Sequence, residues 1–314
     1  MKNINKATWR FYTLILTTAT ALTLVAACGS ETQKHLENID ISTLDREQST
    51  LAWNSENNPD ILADEQPFNY KFSELPTSGA AAVSPWAGNY WPTYRDSINF
   101  RWDGSSGDTP GATQSPAEKF AQAFGRENLT DRISQHYGIE SRHHAKTCTD
   151  TSECDGAQGE VCSKRLGEDE GRCIETWFGI CHAWAPAAIV IPEPVNPVTY
   201  NGVTFKVNDI KALVSLSYTH ALTAKHLGKR CDDQEKNLEF DEYGRAKKRD
   251  CMDTNPGSFH VIATNLLGIQ KKSFVEDKTY DYQVWNQPVR DYEVTFNEAV
   301  TAEQANNLIT AQGE

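Results

Sequence analysis

The chain has 314 residues, of which 39% are hydrophobic and 23% are charged, and its formal net charge is −13 at pH 7. This excess of acidic residues makes the chain a poor candidate for binding nucleic acid or an anionic membrane surface. The length beyond the N-terminal region suits one domain of moderate size that carries an insertion.

The first 28 residues have the three parts of an export signal. Lys2, Lys6 and Arg10 precede the apolar stretch 14–24, and small residues follow it before Cys28. A cysteine directly after small residues resembles the lipobox of bacterial lipoproteins, in which the sulfur is lipidated and the cysteine becomes the new N-terminus. We therefore expect residues 1–28 to be a lipoprotein signal that ends in a lipidated Cys28. An ordinary cleaved signal or a short membrane anchor is the alternative.

Residues 29–68 are polar, acidic and poor in periodic apolar residues, which is typical of a tether. Residues 69–314 are expected to form a folded domain of mixed helices and strands. In chain order, the predicted elements are helices over Pro116–Phe124 and Asp131–Gln135, a helix beginning at Cys181, a helix over Ile210–His226, and strands over Phe259–Ile269 and Tyr280–Val294.

The eight cysteines divide by their sequence context. The segment 146–175 has almost no large apolar side chains, so two internal disulfides are expected to order it. The four cysteines of this insertion are Cys148, Cys154, Cys162 and Cys173. A zinc site is the alternative there, although no C-x2-C pair is present. Cys231 and Cys251 bracket another polar stretch and are expected to pair with each other. With Cys28 lipidated, Cys181 is the cysteine left over.

A glycine turn delivers Cys181 to the start of an apolar helix, in the run Gly179-Ile180-Cys181. At a helix N-terminus, the dipole and the unpaired backbone N–H groups favour the thiolate and can hold an oxyanion. The sequence therefore predicts a nucleophilic cysteine at this position. A buried structural cysteine is the alternative.

A thiolate nucleophile needs an imidazole that exchanges its proton and a third group that orients the imidazole. His260 begins an apolar run of β type and is the expected base. Asn286 lies 26 residues later on the next predicted strand, and its amide is the expected third member. Asp277 and Asp281 are rival orienting groups in a charged turn.

Four segments together resemble the transglutaminase elicitor family, and the resemblance covers roughly residues 75–294. They are Gly179 to Ala187, Pro85 to Pro92, Ser115 to Phe120 and Asn255 to His260. The resemblance implies an α+β fold of the papain/transglutaminase type, in which the nucleophile helix packs on an antiparallel sheet, with a disulfide-rich insertion. It also implies that Cys181 is the nucleophile, His260 the general base and Asn286 the third member. Papain-like peptidases have a glutamine that donates to the oxyanion at the position of Glu175, so the indole N–H of Trp177 is the expected substitute.

The family implies an exported protein-glutamine γ-glutamyltransferase that forms isopeptide crosslinks through a cysteine thioester. Its partners would be protein substrates that carry glutamine and lysine, together with the membrane that holds the lipid anchor, at a bacterial outer membrane, periplasm or cell surface. No cofactor is required by the sequence, and calcium is a candidate ion at the acidic stretches 103–108 and 232–242. A papain-like peptidase or amidase, and a non-catalytic surface lipoprotein that retains the fold, are the alternatives. The family also implies further sheet segments beyond Glu314.

Overall fold

The computed structural model describes residues 57–64, 66–102, 113–220, 224–241, 246–295 and 301. The α-helices of these residues are α1 (Pro116–Phe124), α2 (Leu129–Tyr137), α3 (Cys181–Val190), α4 (Val207–Tyr218) and α5 (Pro256–Ala263), and α5 continues as a π-helix over Thr264–Ile269. Short 3-10 turns connect many of these elements.

The strands of the described residues form small antiparallel sheets. They are β1 (Ser78–Ala80), β2 (Thr147–Cys148), β3 (Glu160–Ser163), β4 (Gly171–Glu175), β5 (Val198–Tyr200), β6 (Val203–Phe205), β7 (Phe274–Asp277), β8 (Asn286–Val289) and β9 (Asp291–Glu293). The strand orders are β1-β9, β2-β4-β3, β5-β6 and β7-β8. The pairing of β1 with β9 joins the two ends of the described domain.

The predicted helix Pro116–Phe124 is confirmed with the same bounds as α1. Ser115 and Glu118 form a reciprocal capping box at its start, and Gly125 ends it in the left-handed region with φ of 61°. The second predicted helix lies within α2. The helix predicted over Ile210–His226 is α4, which begins three residues earlier and ends at Tyr218.

The strand predicted over Phe259–Ile269 is wrong, because this segment is α5 and its π-helical continuation. Asn255 caps the helix by accepting from Gly257 N at 2.9 Å, and Pro256 occupies its first turn. Residues 261–268 are all buried, including the polar Thr264 and Asn265, so the segment has no exposed polar face that could have marked the helical period. Within the strand predicted over Tyr280–Val294, residues 280–285 form a loop, and the remainder contains the two short strands β8 and β9.

Helix α3 occupies the centre of the fold, where it packs against α4 and against the β7–β8 hairpin. Its alanines Ala183, Ala185 and Ala187 have no exposed surface, and small side chains let neighbouring elements approach closely. The predicted packing of a nucleophile helix on an antiparallel sheet in an α+β fold is therefore confirmed, with the sheet reduced to the two-stranded β7–β8 hairpin at this contact.

The predicted disulfides are confirmed. In the insertion, Cys148 pairs with Cys162 and Cys154 pairs with Cys173 across the β2-β4-β3 sheet, and in the later loop Cys231 pairs with Cys251. Because the four sulfurs of the insertion are covalently paired, they are not available as zinc thiolates. Among the described cysteines, Cys181 alone is free.

Residues at the end of the predicted tether pack into the domain. Pro59 and Phe68 are buried, and the Asn57 carbonyl accepts from Ser258 Oγ of α5 at 2.5 Å. The predicted signal, Cys28 and the first part of the tether lie outside the described residues. Within the part of the chain that the structure describes, no helix combines the length and the apolar composition needed to cross a membrane.

Candidate active site

The start of α3 is fixed by the tryptophan-rich segment 85–92. Tyr90 O accepts from Ile180 N at 2.7 Å, and three residues further on Thr93 N donates to Phe178 O at 2.8 Å. A Cβ atom on Gly179 would lie 2.4 Å from Tyr90 O, which is closer than real Cβ contacts allow. The tryptophan-rich segment 85–92 and the segment that contains Cys181 therefore form one unit, and this unit positions the first residue of α3.

Cys181 is the first residue of α3 and is buried, with 5% of its surface exposed. Its side chain packs in an apolar cluster with Trp86 and Trp184. The thiol Sγ donates to the Val284 carbonyl at 3.4 Å, in the loop that precedes β8. The thiol thus lies between tryptophans on one side and the β7–β8 loop on the other.

Asn286 begins β8, and its Nδ2 donates to Cys181 Sγ at 3.6 Å. The structure therefore brings these two predicted site residues into direct contact. Asp277 pairs with Asn286 across the β7–β8 hairpin, but its Oδ1 accepts from Trp285 N at 2.8 Å and from Thr279 Oγ1 at 2.9 Å. Asp277 is thus engaged in ordering the hairpin loop.

A pocket of about 210 Å³ opens beside the thiol. It is lined by Trp177, Gly179, Cys181, His182, Arg230, Val284 and Asn286. Since the α3 N-terminus and β8 meet here, the pocket combines a free thiol with backbone N–H groups and a side-chain amide donor.

Trp177 lies in the pocket wall, but its indole Nε1 donates to Glu175 Oε2 at 2.7 Å. Tyr282 donates its hydroxyl to the same carboxylate oxygen. Burial and this hydrogen bond raise the pKa of Tyr282 to about 12. The indole N–H is therefore engaged with Glu175 in this structure, and its role toward an oxyanion stays a prediction.

His260 lies on α5, and no hydrogen bond among the described residues joins it to Cys181 or Asn286. Its ring lies against Phe72, with 5.7 Å between centroids. Its Nε2 atom is buried and has no hydrogen-bond partner. The structure thus does not bring His260 into the pocket, and its role as the base stays a prediction.

His182 is the histidine that lines the pocket. Its residue surface is exposed, yet burial of part of the ring lowers its pKa. The sequence alone gives no reason to place His182 beside the thiol, because adjacent side chains on a helix diverge. Their position at the helix end is the signal that could have identified His182. Cys181 and His182 are the first two residues of α3, and both can line a pocket that faces the end of the helix.

Arg230 is a second pocket residue that sequence reasoning missed. Its Nη2 donates to Tyr282 O at 2.8 Å and its Nε to Asp232 Oδ1 at 3.2 Å. The neighbouring disulfide at Cys231 orders the polar loop that carries it. Before folding, nothing in this loop distinguishes Arg230 from the other basic residues near it.

The metal predictions fall partly outside the described residues, because the acidic stretch 103–108 is not among them. In the described part of the chain, two separate groups each bring three potential metal ligands together, with the ligand atoms of a group within 4.8 Å of one another. Each group contains cysteines that form disulfides. Calcium binding at 232–242 stays a prediction.

A model of the family described as transglutaminase elicitor matches residues 64–311. The crystal structure of the GP42 transglutaminase from Phytophthora sojae is similar, with a TM-score of 0.59 and 38% sequence identity. The match covers 76% of this chain and 62% of that chain, so this chain spans less than two thirds of the length of the other. A comparison with curated proteins finds no match. The fold is therefore transglutaminase-like, and, because the family model matches well over half of its residues, the chain belongs to the transglutaminase elicitor family.

Proposed function

We propose that the chain is a protein-glutamine γ-glutamyltransferase that uses Cys181 as its nucleophile. The observation that carries this proposal is the contact between the free thiol of Cys181 and the Nδ2 donor of Asn286, at the mouth of a pocket and at a helix N-terminus. Membership of the family and the likeness to a structure titled as a transglutaminase support the same reaction class.

In the proposed reaction, a neutral histidine takes the proton of the Cys181 thiol, and the thiolate attacks the side-chain carboxamide carbon of a protein-bound glutamine. The imidazolium protonates the amide nitrogen as the C–N bond breaks, so that ammonia leaves and a thioester remains. A lysine amine then attacks the thioester, the histidine takes its proton, and the thiolate leaves as the isopeptide bond forms. Asn286 Nδ2 and the α3 backbone N–H groups stabilise the oxyanion in both halves of the reaction.

Two histidines compete for the proton-transfer role. His260 is the base that the sequence and the family resemblance imply. His182 is supported by its place in the pocket wall and by its lowered pKa, which keeps the imidazole neutral and able to accept a proton near pH 7.

The burial of Cys181 supports one other candidate function, that of an inactive scaffold. Only 5% of the residue is exposed, and its thiol donates a hydrogen bond to Val284 O. A thiol held in this way reacts slowly, because the thiolate is the nucleophilic form.

We also propose that the protein is exported and anchored by lipid at Cys28. The signal-like residues 1–27 and the three disulfides support export, since disulfides persist in oxidising compartments. Labelling with a fatty acid in a bacterial host should mark the protein, and Cys28→Ala should remove the label.

The experiment that tests the transferase proposal uses the full chain in detergent, beside Cys181→Ala. Incorporation of a fluorescent primary amine into a glutamine-rich protein is measured with calcium and with a chelator. Incorporation that the substitution abolishes supports acyl transfer through Cys181. Cleavage of the acceptor protein without incorporation would move the chain to the peptidases, and neither activity in a folded protein would favour the scaffold.

A further inference from the structure

Arg230 carries the one fixed positive charge among the described residues that line the Cys181 pocket. The other lining side chains are apolar, an amide, a thiol and a histidine whose pKa is lowered. Glu175 lies behind Trp177 and Tyr282 and is engaged by both. Arg230 therefore places a positive charge in the wall of the pocket, although the chain as a whole has a net charge of −13.

The loop 282–284, which contacts the Cys181 thiol, also holds the guanidinium of Arg230 in position. Arg230 Nη2 donates to Tyr282 O at 2.8 Å, and Tyr282 N donates to Asp233 O at 2.9 Å. Two residues further along, the Val284 carbonyl accepts from Cys181 Sγ. The segments 230–233 and 282–284 thus hold the cation and the nucleophile in one arrangement.

The guanidinium has N–H groups left for a ligand. A guanidinium carries five N–H donors in a planar fork that suits a carboxylate, and two hydrogen bonds from Arg230 to other described residues use one donor each. One of the two goes to Asp232, whose side chain is 81% exposed. Exposed ion pairs of this kind contribute little net energy, so the carboxylate of a bound substrate can compete with Asp232.

We propose that Arg230 determines donor specificity by selecting substrates that carry a carboxylate beside the reactive glutamine. The inference rests on the proposed function, because it names the class of donor that the Cys181 pocket accepts. The carboxylate of a neighbouring aspartate or glutamate binds Arg230 while the glutamine carboxamide lies between Cys181 and Asn286. A lysine beside the glutamine is repelled by the same charge.

The first test uses the full chain in detergent and three donor peptides that differ only in the residue beside the glutamine, which is glutamate, alanine or lysine. The kcat/KM for amine incorporation should be highest for the glutamate peptide and about tenfold lower for the lysine peptide. Arg230→Gln should remove most of this difference, and Arg230→Glu should reverse the order. Arg290→Gln is the matched control, because Arg290 also donates its Nε to an adjacent aspartate, at 2.6 Å, but does not line the pocket.

The second test does not depend on catalysis. Cys181 is alkylated with anionic iodoacetate and with neutral iodoacetamide, and modification at Cys181 is quantified by mass spectrometry. The rate with iodoacetate divided by the rate with iodoacetamide should fall several-fold in Arg230→Gln and stay unchanged in Arg290→Gln.

The two tests separate the failure of this inference from the failure of the proposed function. Amine incorporation with no peptide preference and an unchanged alkylation ratio would overturn the role of Arg230 and leave the transferase proposal standing. A ratio that depends on Arg230 in a protein without incorporation would overturn the transferase proposal and keep the anion-selecting pocket. If Cys181 reacts with neither reagent, the pocket does not admit ligands and both proposals fail.

Discussion

The Asn286 side-chain amide donates a hydrogen bond to the Cys181 sulfur across 3.6 Å, although 105 residues separate the two positions along the chain. Cys181 begins α3 and Asn286 begins β8, so their relative position depends on the packing of the β7–β8 hairpin against the helix. The contact supplies an uncharged N–H donor next to the nucleophile, where an oxyanion of acyl transfer would form. Asn286 is thus hydrogen-bonded to the thiol of Cys181, whereas the sequence predicted the imidazole of His260 as its partner.

Substitution of Asn286 by alanine should lower kcat for amine incorporation by about 10²–10³, because removal of one oxyanion donor has that effect in acyl transfer. The KM for the donor should change much less. Gln287→Ala is the control, since Gln287 is the next residue of β8 and carries the same amide without lining the pocket. Equal losses in both variants would mean that the effect is structural.

The two candidate bases should differ in the pH dependence of the reaction. Burial lowers the pKa of His182, so His182 stays neutral in the fold to a lower pH than the ordinary histidine value of about 6.5. If His182 is the base, the rate falls only below that value as the imidazole becomes protonated, and His182→Gln removes both most of the activity and this acid limb.

His260→Gln is measured in parallel, and His136→Gln, an exposed histidine on α2, is the control. Loss of activity in His260→Gln alone would return the role to His260 and would require α5 to move during the reaction. Preserved activity in both variants would contradict a histidine base altogether.

Several site features could be predicted from the sequence because they follow from counting and local chemistry. A count of all the cysteines identified Cys181 as the free thiol, and the glycine turn placed it at a helix start, because that turn lies within two residues of it. The helix predicted over Pro116–Phe124 has the bounds of α1, whose capping box at Ser115 is local in the same way.

Other features could not be predicted because they depend on contacts between distant segments. The run after Pro256 mixes apolar residues with polar residues that are also buried, such as Thr264 and Asn265, so its pattern gave no distinction between a strand and a helix. Arg230 reaches the pocket only through its bond to the Tyr282 carbonyl, 52 residues away. Backbone acceptors carry no residue-type signal in a single sequence, and therefore this pocket wall became visible only in the fold.

Gly179→Ala should destabilise the domain and displace Cys181. The added Cβ would lie 2.4 Å from Tyr90 O, a backbone atom that also accepts from Ile180 N, so the start of α3 must shift. We expect a loss of about 1–3 kcal/mol in the free energy of unfolding, measured by denaturant titration. Gly156→Ala is the control, because a Cβ there meets nothing within 4 Å, and its effect should stay within about 0.5 kcal/mol.

The buried ion pair between Lys119 of α1 and Asp209 of α4 should be a major determinant of stability. The Nζ–Oδ2 distance is 2.5 Å, and the two side chains are 11% and 5% exposed. Asp209 also accepts from Lys206 N at 2.7 Å and so caps α4, the helix that supports α3. Removal of one partner leaves a buried charge without its counter-ion, and therefore Lys119→Met should cost about 3–5 kcal/mol.

The double variant Lys119→Met with Asp209→Asn should cost less than the sum of the two single variants, because it removes both charges together. Lys71→Met is the matched control, since Lys71 pairs with Glu74 at 2.5 Å while both side chains are more than half exposed. That surface pair should contribute little to stability, because solvent screens the two charges. The four variants and the unmodified chain are compared by denaturant unfolding at one pH. If Lys119→Met and Lys71→Met cost the same, water reaches the Lys119–Asp209 pair, and the contact between α1 and α4 is looser than the fold described above.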